Sequence, residues 1–147
     1  MTSSVGNDYE NLTVVWQEAF TSLQQRDYAA ALKSFDEFDK KISDWTPSDV
    51  LMASWLGLVA SQGFLAAYET NHFERALYYA NREHGVARSD SAVYVRALNN
   101  QGLALLELGR LLEAEARFRE ALKAPEKFKD EDPINLDLNA RQCRILL

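Results

Sequence analysis

Apolar residues recur every three or four positions along most of the chain, which is the spacing of amphipathic helices. The first such run covers residues 8–25, and the second begins at Tyr28 and ends near Ile42. Further helices are predicted over about 47–70, 73–83, 90–108, 111–123 and 133–147. No segment shows the strict alternation of a strand, so the sequence predicts an all-α fold.

Turn and cap residues mark the expected ends of these helices. Thr46-Pro47 is typical of a helix start, and Ser89 or Asp90 is expected to cap the helix that follows it. Gly85 suits a left-handed C-terminal cap, and Gly109 is expected to stop the helix before it. Asp132-Pro133 predicts the start of the last helix.

The segment 50–68 contains 19 uncharged residues, a length at which a membrane-spanning helix must be considered. Its immediate flanks are acidic, Asp49 and Glu69, whereas a spanning helix is oriented by basic residues near one end. The other helices are amphipathic and need an apolar partner. We therefore predict a buried central helix and no membrane span.

A short pattern occurs three times, each time after a predicted turn. Its copies are Tyr28-x2-Ala31-Leu32, Phe73-x2-Ala76-Leu77 and Leu111-x2-Ala114. The alanines of successive copies are separated by 45 and 38 residues. Each copy begins the second helix of a pair. The chain is therefore predicted to contain three antiparallel helix pairs, in which small alanines allow close helix approach.

The third pair reads Leu98-x2-Gln101-Gly102-x2-Leu105, followed by Ala114-x3-Phe118, Ala121 and Pro125. This resembles the tetratricopeptide repeat family. In the first pair Ala19 takes the place of Gly102, and Ala31-x3-Phe35 is intact. In the second pair Phe64 takes that place, with Gly63 one residue early and Ala80 instead of the aromatic residue. The resemblance covers about residues 12–125, although no pair has the complete motif and the period exceeds the usual 34 residues.

The resemblance implies an α-solenoid, a right-handed superhelix of three helix pairs followed by a C-terminal capping helix. The predicted repeats cover about 8–42, 47–85 and 90–124, and the capping helix covers 133–147. Residues 1–7 are expected to form a flexible N-terminus, and residues 8–147 a single domain.

The same resemblance implies that the first helix of each pair lines a concave groove holding a peptide or helix of a partner protein. Trp16 and Phe20 are then expected to be apolar anchors, and Arg96 with Asn99 the polar groups that orient the partner. The alternative is that the stripe containing Trp16, Phe20 and Leu23 packs on the neighbouring helix as core. The full candidate set is Thr13, Trp16, Phe20, Leu23, Leu58, Ser61, Leu65, Tyr68, Arg96, Asn99, Leu103 and Leu106. The carboxylate clamp of the heat-shock-chaperone subgroup is absent, because Trp16 and Phe20 occupy its Lys and Asn places.

Charge and cysteine content narrow the possible partners and the compartment. The net charge is −6, which argues against binding a nucleic-acid backbone. The N-terminus has no basic residue and no apolar run, so it does not predict a secretory signal. The single cysteine, Cys143, cannot form an intramolecular disulfide. A cytoplasmic location is therefore predicted.

The sequence contains no recognisable catalytic, cofactor or metal motif: no P-loop, GxGxxG, GxSxG or HExxH. His72 and His84 are expected to be surface residues, since no further ligand stands near them in sequence. Cys143 has Arg141 and Arg144 nearby but is interpreted as half-buried rather than reactive. The carboxylate pairs Asp36/Glu37 and Glu113/Glu115 are expected on solvated helix faces. An enzyme is not predicted.

The leading hypothesis is a non-enzymatic scaffold that binds an extended or helical segment of another protein. A second hypothesis is a dedicated chaperone or neutralising partner of one secreted or toxic protein, by analogy with small acidic three-repeat proteins of the resembled family. The third is self-association through the end helices, favoured by the apolar run Arg144-Ile145-Leu146-Leu147.

Overall fold

The computed structural model of the protein describes residues 3–43, 49–124 and 133–146, with the side chains of 12–43, 57–124 and 137–146. Within these residues the chain forms seven α-helices and no strand, which confirms the predicted all-α fold. The helices are α1 (Ser3–Gln24), α2 (Tyr28–Ser43), α3 (Asp49–Glu69), α4 (Phe73–Val86), α5 (Ala92–Glu107), α6 (Leu111–Leu122) and α7 (Pro133–Leu146).

Three turns with the same geometry join α1 to α2, α3 to α4 and α5 to α6. Each contains one residue in the left-handed region, with φ of 59° at Arg26, 61° at Asn71 and 76° at Gly109. The next residue in each turn donates its backbone N–H to the carbonyl five residues earlier, at 2.9 Å in all three turns. These bonds close the preceding helix in a Schellman motif. The three copies are offset by 45 and 38 residues, as the sequence pattern predicts.

Close helix approach within two of the pairs depends on a glycine facing an aromatic ring. A Cβ atom on Gly102 would lie 2.5 Å from Cε1 of Phe118, and one on Gly63 would lie 2.8 Å from the ring of Tyr79. Both aromatic residues follow their glycine by sixteen positions. The alignment that put Phe64 in the place of Gly102 and found no aromatic partner is therefore wrong by one residue: Gly63 takes that place, and Tyr79 supplies the ring.

Each helix packs mainly against the helices that precede and follow it in the chain, and α3 and α5 touch over a few residues only. The buried apolar residues form one continuous cluster from Leu12 on α1 to Cys143 on α7. Packing between sequential neighbours is typical of repeat proteins, in which each unit covers the apolar face of the next.

Several helix ends differ from the predicted ones. Helix α1 begins at Ser3, inside the segment 1–7 that was predicted to be a flexible terminus. Gly85 lies within α4 and is not a left-handed cap, since the helix continues to Val86 and ends with Ala87 at φ −78°. The cap of α5 is Ser91, whose hydroxyl accepts a bond from the Tyr94 N–H, rather than Ser89 or Asp90. The predicted caps Thr46-Pro47 and Asp132 lie outside the described residues.

Helix α3 is not buried on all sides. Val59, Phe64 and Ala67 lie in the core, whereas the side chains of Leu58 and Leu65 are 48% and 38% exposed. Among the described helices, including α3, none is both long and apolar enough to cross a membrane. Over its described side chains, 57–68, the uncharged segment therefore combines a core face with an exposed apolar face.

Candidate binding groove

The α1 candidates divide between core and solvent. The Trp16 ring meets the rings of Phe35 and Phe38 edge-on, at centroid distances of 5.8 and 5.9 Å. Trp16 and Leu23 are half-buried and pack against the core, whereas Phe20 is 46% exposed. Of the predicted anchors on this helix, Phe20 therefore presents its side chain to solvent, while Trp16 packs largely on α2.

The α3 candidates lie along the exposed face of that helix. The Ser61 hydroxyl donates to the Leu58 carbonyl at 3.2 Å, so it is already satisfied within the helix. The Tyr68 ring stacks on Phe64 with centroids 5.5 Å apart, and its hydroxyl donates to Glu107 on α5 at 3.4 Å. Burial, and then the charge of Glu107, raise the pKa of Tyr68 above its usual value. Tyr68 thus joins α3 to α5.

The α5 candidates are more buried than the groove prediction implies. Arg96 donates from Nε and Nη2 to the two carboxylate oxygens of Glu83, at 3.4 and 3.0 Å. The Glu83 side chain is fully buried, so Arg96 is the cation that neutralises it. Asn99 is 6% exposed, and its Oδ1 has no hydrogen-bond partner among the described residues. Leu103 and Leu106 are half-buried against the core.

An open cleft of about 570 Å³ brings three of the candidates together: Leu58, Ser61 and Arg96. Its other walls come from the end of α4, the α4–α5 connection and the start of α5. The complete lining is Gly57, Leu58, Ser61, Gln62, Val86, Ala87, Arg88, Ser91, Val93 and Arg96. The remaining groove candidates, Thr13, Trp16, Phe20, Leu23, Leu65, Tyr68, Asn99, Leu103 and Leu106, do not line it.

The sequence prediction missed Val86, Arg88 and Val93, which form one side of this cleft. Val86 and Arg88 lie where helical periodicity stops, so no spacing rule assigns them a face. Val93 is recognisable in the sequence only as a β-branched residue in the first turn of a predicted helix, and its exposure is seen in the structure alone.

Asp36 and Asp39 of α2 bind side chains of α4. The prediction that Asp36 and Glu37 both lie on a solvated face is therefore wrong for Asp36. Asp36 accepts bonds from Arg75 Nε at 2.7 Å and from the Tyr79 hydroxyl at 2.6 Å. Asp39, which is 4% exposed, accepts from Tyr78 at 2.5 Å and from Arg82 at 2.9 Å. Glu37 remains exposed.

The contacts of Asp36 and Asp39 with α4 join the first helix pair to the second, and two further interactions strengthen them. The Arg75 guanidinium lies 4.1 Å from the centre of the Tyr78 ring, within cation–π range. Burial, and then the bond to Asp36, raise the pKa of Tyr79 well above its usual range, so its hydroxyl stays a proton donor. Asp36 and Asp39 are therefore engaged by α4 in holding the helix pairs together.

Glu115 on α6 forms a second buried polar contact, which joins α6 to α7, the helix that carries Cys143. Glu115 is 5% exposed, contrary to the expected solvated face, and accepts bonds from Arg119 at 2.9 Å and Arg144 at 3.1 Å. The bond from Arg119 is the main cause that lowers the pKa of Glu115, with Arg144 adding to it. Cys143 is fully buried, not half-buried, and burial raises the pKa of its thiol. A raised pKa keeps the thiol protonated and unreactive.

Both histidines have structural neighbours. The Nδ1 of His72 lies 2.7 Å from the Thr70 hydroxyl oxygen, and the His84 ring lies 4.8 Å from the Tyr94 ring centre. His84 is partly buried rather than a surface residue. In the described part of the chain, no three His, Cys, Asp or Glu side chains are grouped so that they could hold a metal ion.

No protein-family model matches this chain, and no curated protein matches it.

Proposed function

We propose that this protein is a non-enzymatic interaction module related to the tetratricopeptide repeats, which binds an extended or helical segment of another protein across the exposed face of α1, α3 and α5. The proposal includes the right-handed solenoid implied by the sequence resemblance. It also includes a cytoplasmic location, which the buried, unpaired thiol of Cys143 favours.

The observation that carries the proposal is the distribution of exposed apolar side chains. Among the described side chains, α1, α3 and α5 expose Val14, Phe20, Leu58, Leu65 and Val93, each between 38% and 53%. Helix α2 exposes no large apolar residue, α4 exposes Val86 at its end, and α6 exposes Leu112. Five of the seven exposed large apolar residues described on α1 to α6 therefore lie on α1, α3 and α5. Exposed apolar surface of this kind, where it is contiguous, marks interaction sites, so the distribution favours partner binding on these three helices.

The repeated turns give independent support. The three Schellman turns share the same hydrogen bond and the same left-handed residue position, which supports three equivalent helix pairs. Small residues at Ala19, Gly63 and Gly102 stand sixteen positions before Phe35, Tyr79 and Phe118 in the three pairs. Such regular units stack into extended concave surfaces in repeat proteins, and those surfaces bind peptides.

The proposal is tested by purifying the tagged chain from its native source and identifying stoichiometric partners by mass spectrometry. The affinity of a purified partner is then measured by calorimetry for the double variant Phe20→Ser/Leu65→Ser. Both residues are exposed, so the variant should keep its thermal stability. We expect a loss of affinity of about tenfold or more, as for apolar anchors at interfaces.

Leu112→Ser is the matched control, because Leu112 is 71% exposed but lies on α6. It should leave affinity unchanged. Equal affinity of the double variant and the natural chain for every stoichiometric partner would refute the proposed surface. Arg96→Glu is a poor test, since it would place a second carboxylate against the buried Glu83 and destabilise the fold.

Self-association through α7 is a second candidate, favoured by one observation. Leu138, Ile145 and Leu146 on this helix are 56%, 78% and 54% exposed. An end helix normally needs a polar outer face to keep a repeat array soluble. Sedimentation velocity of the variant Leu138→Ser/Ile145→Ser should show a shift from dimer to monomer; a monomeric natural chain at high concentration contradicts this candidate.

A further inference from the structure

Among the glycines in the middle of α3 and α5, Gly57 is the one against which no described side chain packs. The space beside Gly63 is filled by the Tyr79 ring, and that beside Gly102 by the Phe118 ring. At Gly57 no described atom lies within 4 Å of an added Cβ. A glycine inside a helix costs about 1 kcal/mol relative to alanine. Packing within the described chain therefore does not explain this residue.

The open space beside Gly57 belongs to the cleft between α3 and α5. Gly57 lines that cleft together with Leu58, Val86 and Val93, whose side chains are 37–48% exposed. The cleft volume of about 570 Å³ lies within the range of ligand sites. Its apolar walls and missing side chain leave room for a bulky apolar group from outside the chain.

The charged residues around the cleft indicate which polar group a bound segment would carry. Among the described residues that line the cleft, the charged ones are two arginines, Arg88 and Arg96, and none is a carboxylate. Arg88 pairs with Asp90 on the surface, where screening makes the pair weak. Arg96 uses Nε and Nη2 for Glu83, and its side chain is 38% exposed. A guanidinium has five N–H donors, so Arg96 retains donors for a further acceptor.

We propose that this cleft binds a segment of a partner protein in which a large apolar residue stands beside an acidic residue. The apolar side chain fills the space over Gly57, and the carboxylate accepts bonds from Arg88 and Arg96. This inference rests on the proposed function, since it specifies the partner segment that the same face recognises.

Peptide selection tests the chemistry directly. Random twelve-residue peptides displayed on phage are selected on the immobilised full chain, and the enriched peptides are synthesised and measured by fluorescence anisotropy. We expect enrichment of Leu, Phe or Met next to Asp or Glu. Enrichment of basic peptides, or none, would overturn the inference.

Two glycine variants separate binding from folding. Gly57→Leu fills the cleft with a good helix former, so it should keep or raise the melting temperature and weaken peptide binding by about tenfold or more. Gly85→Ala is the matched control, because Gly85 is also a helical glycine with open space around it but does not line the cleft. It should leave peptide affinity unchanged. Retained peptide binding by Gly57→Leu would contradict the proposed cleft.

The arginines are tested with Arg88→Gln and with Arg117→Gln as a control. Arg117 is likewise in an exposed ion pair, with Glu120, but lies outside the cleft. Only Arg88→Gln should reduce affinity for acidic peptides, and its effect should shrink at high salt.

The outcomes distinguish this inference from the proposed function. A natural partner that is sensitive to Phe20→Ser/Leu65→Ser but not to Gly57→Leu refutes the cleft and leaves the proposed function standing. Binding of octanoate without any peptide or protein binding refutes both, because the cleft would then take a free carboxylic acid.

Discussion

Replacing Gly102 by alanine would place a methyl group against the ring of Phe118, inside the third helix pair. The new Cβ would lie 2.5 Å from Cε1 and 2.7 Å from Cζ of that ring. Carbon atoms pack best at about 3.5–4.0 Å, so the ring or one helix must move by about 1 Å. Phe118 is fully buried, and its neighbours would have to move with it.

The expected magnitude combines two opposing effects. Alanine is favoured over glycine in a helix by about 1 kcal/mol. Overpacking a buried site costs about 1–3 kcal/mol, and an overlap of this size belongs at the upper end. We therefore expect Gly102→Ala to destabilise the protein by about 2 kcal/mol, and Gly102→Leu by about 2–4 kcal/mol.

Urea unfolding followed by circular dichroism measures these changes. A double-mutant cycle with Phe118→Leu then tests the cause, because a smaller side chain should relieve part of the overlap. The free energy of unfolding of Gly102→Ala/Phe118→Leu should exceed the additive value by at least about 0.5 kcal/mol.

Additivity within about 0.3–0.5 kcal/mol would show that the two residues do not contact each other, and the close approach of α5 and α6 would be wrong. Gly85→Ala serves as the control, since the open space around Gly85 permits a methyl group and only the helix propensity changes. It should be neutral or stabilising.

Three further predictions concern polar and thiol groups. Asp39→Ala removes the hydrogen-bond acceptors of Tyr78 and Arg82 and should lower the free energy of unfolding by about 2–3 kcal/mol in urea melts. The control is Glu37→Ala, on the exposed face of the same helix, which should change this free energy by less than about 0.5 kcal/mol. The pKa of Glu115 is lowered from its ordinary value of 4.5, so its contribution to stability is present above that pH and is lost as pH falls below it. Glu115→Gln should therefore flatten the loss of stability in acid, and an unchanged acid profile would contradict the bonds from Arg119 and Arg144. Cys143 is buried with a raised pKa, so its thiol should react with a disulfide reagent only at the rate of unfolding; rapid reaction in native buffer would contradict its burial.

The sequence was sufficient to predict the helices and their turns because both depend on local chemistry. Periodicity locates α2 and α6 within a residue of their observed ends, and Gly109 marks the left-handed turn residue. Arg26 and Asn71 adopt the same conformation although neither is a glycine. Gly85 misled the prediction because a glycine near a helix end fits either a cap or a helical position.

The candidate site was predicted less well, because its parts meet only in three dimensions. The family resemblance assigned Leu58, Ser61 and Arg96 to the groove, and these residues line the cleft. It could not show that Glu83, buried one helix earlier, would engage Arg96. The Asp36 and Asp39 contacts with α4 were missed for the same reason, since they join residues about forty positions apart.

The ion pairs of Asp36 and Asp39 also determine how cooperatively the molecule opens. Since the helices pack mainly on their sequential neighbours, unfolding can begin at one end and proceed unit by unit. Arg75 and Arg82 connect α4 directly to α2, past the intervening α3. Opening of the first hairpin must therefore break the ion pairs of Asp36 and Asp39 as well as expose apolar surface. These bonds join the α1–α2 unit to the α3–α4 pair. They raise the free energy of partially open forms and so favour all-or-none unfolding of the first four helices.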